Sequence, residues 1–162
     1  RQGRLPDLWD IRRAQRAYDQ GKELFFQKKY VEAEPFFREA LRLNPGWIPP
    51  HSFLGQIFLE YHKDYMQAIH HLEIAARNPN VYLQQPALYY LTQAHAGAGH
   101  TDLAWKTWRK YFDNCAPGTD WERQAQELSA EVKATLEART PPTDAAAKPS
   151  PPPSPAPAVS PR

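Results

Sequence analysis

Residues 18–45 read YDQGKELFFQKKYVEAEPFFREALRLNP, and residues 52–79 read SFLGQIFLEYHKDYMQAIHHLEIAARNP. Aligned, Gly21 falls over Gly55 and Pro45 over Pro79, each pair 34 apart, and both stretches close on Asn-Pro. Ala33 and Ala40 return as Ala68 and Ala75, offset by 35. One residue inserted at the intervening turn explains the difference, since KKYVEA (28–33) becomes HKDYMQA (62–68). A third, more divergent copy follows. Leu54 returns as Leu91, and Thr92 stands where the glycine was. Ala104 and Trp108 keep the spacing of Ala33 and Phe37, and Pro117 closes the unit. A fixed period of this length marks stacked supersecondary units that bury their apolar faces on one another.

Each unit reads as a helical hairpin. Tyr18, Gly21, Leu24 and Phe25 fall three and four apart in the first helix. Ala33, Phe36, Phe37, Ala40 and Leu41 do the same in the second. Small residues at Gly21, Gly55, Ala33 and Ala68 let the paired helices approach closely. The Asn-Pro dipeptides end the second helix, because a residue before proline avoids the helical region. Pro35 lies near the start of its helix, where a missing amide costs least, so a slight kink is expected there.

These residues resemble tetratricopeptide repeats. The first unit supplies Ala17, Gln20, Gly21, Leu24, Ala33, Phe37, Ala40 and Pro45 at the family's signature places. The second supplies His51, Leu54, Gly55, Phe58, Ala68, Leu72, Ala75 and Pro79; the third supplies Leu88, Leu91, Thr92, His95, Ala104, Trp108, Tyr111 and Pro117. Gln20, Thr92 and Tyr111 depart from the pattern, and Tyr111 implies looser packing or a modified interface where the array ends. The resemblance covers roughly residues 14–117. It implies an all-α, right-handed helical solenoid of three helix-turn-helix units.

Beyond Pro117, Thr119 or Asp120 can cap a helix in which Trp121, Ala125, Leu128, Val132 and Leu136 form an apolar stripe. A solenoid needs such a terminal element over its last repeat, so seven helices are expected, the first lengthened by Asp7–Arg13. Trp105 and Trp108 are expected in the core beneath this cap. From Thr140 onward the chain holds nine of its 17 prolines. That composition buries too little surface to offset ordering entropy, so residues 140–162 read as a disordered Pro/Ala-rich tail. Three segments result: a basic lead-in over 1–13, a repeat domain with its cap over 14–139, and the tail.

The 162 residues carry a net charge of +2, too balanced for strong capture of nucleic acid. The local excess is at the start, where Arg1, Arg4, Arg12, Arg13 and Arg16 face only Asp7 and Asp10. That reads as a solvated basic helix, or as a docking patch for an acidic partner or a membrane surface. No apolar run is long enough to span a bilayer. Cys115 has no partner cysteine and leaves the redox compartment open. A start on Arg rather than Met suggests a processed or trimmed terminus, so a signal peptide or anchor could have preceded it. The tail's composition resembles linkers of high-GC bacterial envelope proteins, so an envelope-associated setting stands beside a cytoplasmic one.

Catalytic signatures are missing from the sequence: no phosphate loop, no Gly-x-Ser-x-Gly, no HExxH and no paired cysteines. His70 and His71 are adjacent, and His95 and His100 are five apart, so neither pair has the four-residue spacing of a helical metal site. No enzyme activity, cofactor or metal is expected. The resemblance implies instead a concave groove lined by the first helices. Family groove positions carried over are Tyr18, Asp19, Lys22 and Phe25; Ser52, Phe53, Gln56 and Leu59; and Tyr89, Tyr90, Gln93 and Ala96. Only Lys22 matches the cationic clamp of members that grip a terminal carboxylate, so that mode is rejected. An aromatic groove with a few amides suits a proline-rich or apolar peptide, or a partner helix. The chain's own tail is one such segment. The expected role is an adaptor or scaffold; the alternative is a structural accessory subunit of a larger assembly, with an envelope or membrane complex among the candidates, that uses its convex and end surfaces and the tail as a tether.

Overall fold

The computed structural model describes residues 3–139. The Pro-rich tail expected over 140–162 lies outside the described residues, as do the first two positions of the lead-in. Among the described residues the fold is all-helical. The helices are α1 (Leu8–Phe26), α2 (Tyr30–Leu43), α3 (Pro49–Ile57), α4 (Tyr65–Ala75), α5 (Val81–Ala98), α6 (Thr101–Asp113) and α7 (Asp120–Arg139). α3 runs on into a π-helical turn over Phe58–His62. No helix among them is long and apolar enough to cross a membrane.

Local chemistry accounts for the ends. The Asp7 carboxylate accepts from the Asp10 amide at 2.9 Å and caps α1, while Asp64 and Asn80 cap α4 and α5 in the same way. Pro49 and Pro50 open α3, where the missing N–H has no helical partner in any case. Asn44 before Pro45 ends α2. Pro35 occupies the sixth residue of α2 and Pro86 the sixth of α5, both on exposed faces of their helices.

The helices pack in consecutive pairs, α1 on α2, α3 on α4 and α5 on α6, and the pairs join through α2–α3 and α4–α5 contacts. Glycine sets the approach within the first two pairs. A Cβ on Gly21 would lie 2.9 Å from the Phe37 ring, and one on Gly55 would run into the Leu72 side chain. Ala33, Ala68 and Ala104 are fully buried, as the repeat period requires of equivalent positions. Thr92, in place of the third glycine, is also fully buried, and its hydroxyl donates to the Leu88 carbonyl of its own helix at 2.8 Å.

The turn inside each pair follows one plan. Lys28, Lys63 and Gly99 take left-handed conformations, with φ of 62°, 55° and 81°. Each stands five residues before the buried alanine of the next helix. After Lys28 and Gly99, the next amide bonds five residues back, Lys29 to Leu24 and His100 to His95. After Lys63 the Asp64 amide bonds six back, to Phe58. The inserted residue of the second unit is therefore absorbed as the π-helical turn, without displacing the helix that follows.

α7 packs on α5 and α6. Ala125, Leu128 and Val132 are buried there, with Trp121 and Leu136 half-buried at the ends of the stripe. Trp108 donates its indole N–H to the Ala125 carbonyl at 2.7 Å, and Arg139 donates to the Gly97 carbonyl at the end of α5. Two clusters form the core. A small one joins Ala33, Phe37, Leu54 and Ile57 between the first two pairs. A much larger one runs from Phe58 through α4, α5 and α6 to Val132 of α7.

Candidate functional site

The first helices of the successive pairs touch, α1 on α3 and α3 on α5, and together they wall an open cleft of about 330 Å3. Tyr18, Phe25 and Phe26 come from α1, Ser52, Phe53 and Gln56 from α3, and Leu83, Pro86 and Tyr90 from α5. Ile48, Pro49, Ala75 and Asn78 complete its lining. The residues reach one surface because each helix presents positions three or four apart on the same side.

Phe53 is the hub. Its ring centre lies 5.0 Å from Phe25, 5.8 Å from Tyr18 and 6.2 Å from Phe26, and it stacks on Phe37 at 5.0 Å with an interplanar angle of 4°. Tyr18 also meets Trp47 at 4.8 Å. Tyr18, Phe25 and Phe53 pack one side against the small core cluster while remaining half-exposed. Such rings serve two ends at once, holding the first two pairs together and offering an open face. Phe26 and Leu83 differ, being 71% and 55% exposed. They are large apolar side chains at the cleft with little structural duty.

The lining has no carboxylate and no cationic group. Ser52 and Gln56 make no side-chain hydrogen bond among the described residues, so a hydroxyl and an amide remain available to a backbone laid along the cleft. Burial pushes the Tyr18 hydroxyl above its ordinary pKa, with the Asp19 carboxylate adding to it. Burial does the same to Tyr90, with Glu60 contributing. Both phenols are neutral donors across the physiological range. Lys22 sits at the margin, its ammonium 5.1 Å from the centre of the Tyr18 ring.

Of the residues singled out from the sequence, Tyr18, Phe25, Phe53, Gln56 and Tyr90 come together here. Lys22 and Asp19 do not line the cleft, and the exposed Asp19 carboxylate accepts from Gln15 at 3.0 Å. Tyr89 and Gln93 face α7 instead. Gln93 donates to Glu131 at 3.0 Å, and Tyr89 lies in a second cleft with Tyr111, Trp121 and Glu127. The fourth places of the second and third units, Leu59 and Ala96, are buried. Sequence reasoning missed Phe26, Leu83 and Pro86. Leu83, Pro86 and Tyr90 are spaced three and four apart on α5, a legible stripe that a search restricted to family positions passes over.

Two further clusters were also hidden. His51 and His71, on different helices, meet Nδ1 to Nδ1 at 2.8 Å. Buried Gln85 donates to the Tyr111 carbonyl at 3.2 Å and accepts from Asn114 at 3.1 Å, tying α5 to the end of α6. Cys115 sits beside them, half-buried, with burial pushing its thiol pKa up, away from the thiolate that nucleophilic chemistry needs. No protein-family model and no curated protein matches the chain.

Proposed function

We propose that the three helix pairs are tetratricopeptide-like repeats stacked as a right-handed solenoid, capped by α7. On this reading the chain is a non-catalytic binding module. Its ligand is an extended apolar or proline-rich peptide, laid across α1, α3 and α5.

The observation that carries the reading is the cleft itself. Half-exposed Tyr18, Phe25, Phe53 and Tyr90 line it beside the outlying Phe26 and Leu83, with the uncommitted Gln56 amide among them. Aromatic faces stack on proline rings and aliphatic side chains, and a proline-rich segment brings low ordering entropy because its extended form is already populated. An absence of charge in the lining matches a ligand recognised by shape and apolar contact.

The test uses the peptide PSPPPSPAPAV, which is residues 149–159, titrated against a chain ending at Arg139 and followed by intrinsic fluorescence. Saturable binding is expected, weakened about tenfold when Phe26→Ala and Leu83→Ala are combined, on the scale of an anchor lost from an interface. Because both side chains are largely exposed, the thermal midpoint stays where it was. Absence of binding, or binding indifferent to both substitutions, refutes the reading.

A further inference from the structure

A group of exposed apolar side chains lies away from the cleft, at the start of α1. Leu5, Leu8 and Trp9 are 86%, 75% and 72% exposed. Leu8, Arg12 and Arg16 recur at four-residue intervals, and Trp9 lies one residue, about 100°, round the helix from Leu8. These four side chains share one face, opposite the buried Ala14, Ala17 and Gly21. Arg12 holds its guanidinium 5.9 Å from the Trp9 ring centre. Neither Arg12 nor Arg16 makes an ion pair among the described residues. The nearby acids are committed elsewhere: Asp7 caps the helix and pairs with Arg4, and Asp10 sits on the side of Arg42 in α2. Farther along the helix, Asp19 and Glu23 turn the surface acidic, so the cationic character is confined to the first turns.

We infer that this end of α1 docks on an anionic membrane surface, with Leu5, Leu8 and Trp9 entering the headgroup boundary and Arg12 and Arg16 meeting lipid phosphates. A polyanion without an apolar surface would reward the arginines alone. A bilayer interface rewards both classes together, since indole and leucine gain from the acyl boundary while guanidinium stays at the charged layer. The anchor is modest, a few apolar side chains and two free cations, so attachment is reversible. Tyr18 and Phe25 lie on another side of α1, and Phe26, on the side of Leu8, stands 18 residues or about 27 Å farther along, so docking through the first turns leaves the cleft accessible.

The experiment is co-sedimentation of the full chain with phosphatidylcholine vesicles, with and without roughly one-third phosphatidylglycerol. Binding to the anionic vesicles is expected, at least about tenfold stronger than to phosphatidylcholine alone and weaker in high salt. Leu8→Ala with Trp9→Ala, and separately Arg12→Glu with Arg16→Glu, are each expected to lower it about tenfold. Circular dichroism checks that both variants keep their helicity, and Leu83→Ala is expected to retain full vesicle binding. Failure to bind anionic vesicles overturns the inference. So does loss of binding in the arginine variant alone with the Leu8/Trp9 variant unaffected, which would mark the patch as a polyanion site.

Discussion

The imidazoles of His51 and His71 face one another across α3 and α4, and His71 stacks on Phe58 with an interplanar angle of 2°. At 2.8 Å one Nδ1 donates and the other accepts, so the accepting ring is neutral and the contact cannot survive protonation of both rings. Burial holds His71 down at about 4, with His51, His70 and Arg38 adding to the effect and Glu34 opposing it. Burial and His70 lower His51 as well. An unfolded imidazole titrates near 6.5, so between that value and about 4 the unfolded chain binds the extra proton. The stabilisation is complete above pH 6.5 and is lost as pH falls toward 4. A drop from pH 7 to 5 is expected to cost about 2 kcal/mol, most of it from His71. Thermal melts at the two pH values check it, and His71→Asn is expected to flatten the dependence. The sequence places His51 at a packing position, but its partner is legible only in three dimensions. His71 comes from another helix, 20 residues away, and adjacency to His70 says nothing about which ring turns inward.

The paired helix with its tight turn is the element that repeats, and its stop signal is a residue in left-handed conformation. Only the third turn uses glycine. Lys28 and Lys63 adopt the same geometry with a Cβ, at a cost of about 1 kcal/mol each. Lys63→Gly is therefore expected to raise stability by up to about 1 kcal/mol, less the extra freedom glycine gains when unfolded, and Lys28→Gly to behave alike. Urea denaturation midpoints read the change. If Lys63→Gly destabilises, the lysine stem is contributing packing that its exposure does not reveal. The helices themselves were readable from spacing, because three- and four-residue periodicity states which face is buried before any neighbour is known. How the turns close was not readable. The one-residue insertion in HKDYMQA is visible in the alignment, yet only the hydrogen bond from Asp64 back to Phe58 shows it taken up as a π-helical turn.

Across the whole molecule the core is uneven. Four buried residues bridge the first two pairs, whereas the second cluster spans α4 to α7 and includes Leu72, Leu91, Tyr111, Leu128 and Val132. Helix pairs packed in sequence are stabilised mainly by their neighbours, so the end with the thinner core opens first. Native-state hydrogen exchange is expected to show lower protection for α1 and α2 than for α4 to α6. Uniform protection along the chain would indicate a single cooperative unit instead. The cleft lies on the α1 side of this gradient, where a ligand of the proposed kind would have most stability to add. The residues by themselves determined the helices and the apolar stripe of α7, because each of these is encoded over a few neighbouring positions. Tertiary structure alone decided which rings share a surface. Tyr89 and Tyr90 are adjacent in the chain and their ring centres lie 5.2 Å apart, yet only Tyr90 also reaches the cleft with Phe53, while Tyr89 stays beside Tyr111 and α7. A 100° step on a helix separates them, and only the arrangement of the surrounding helices gives that step its meaning.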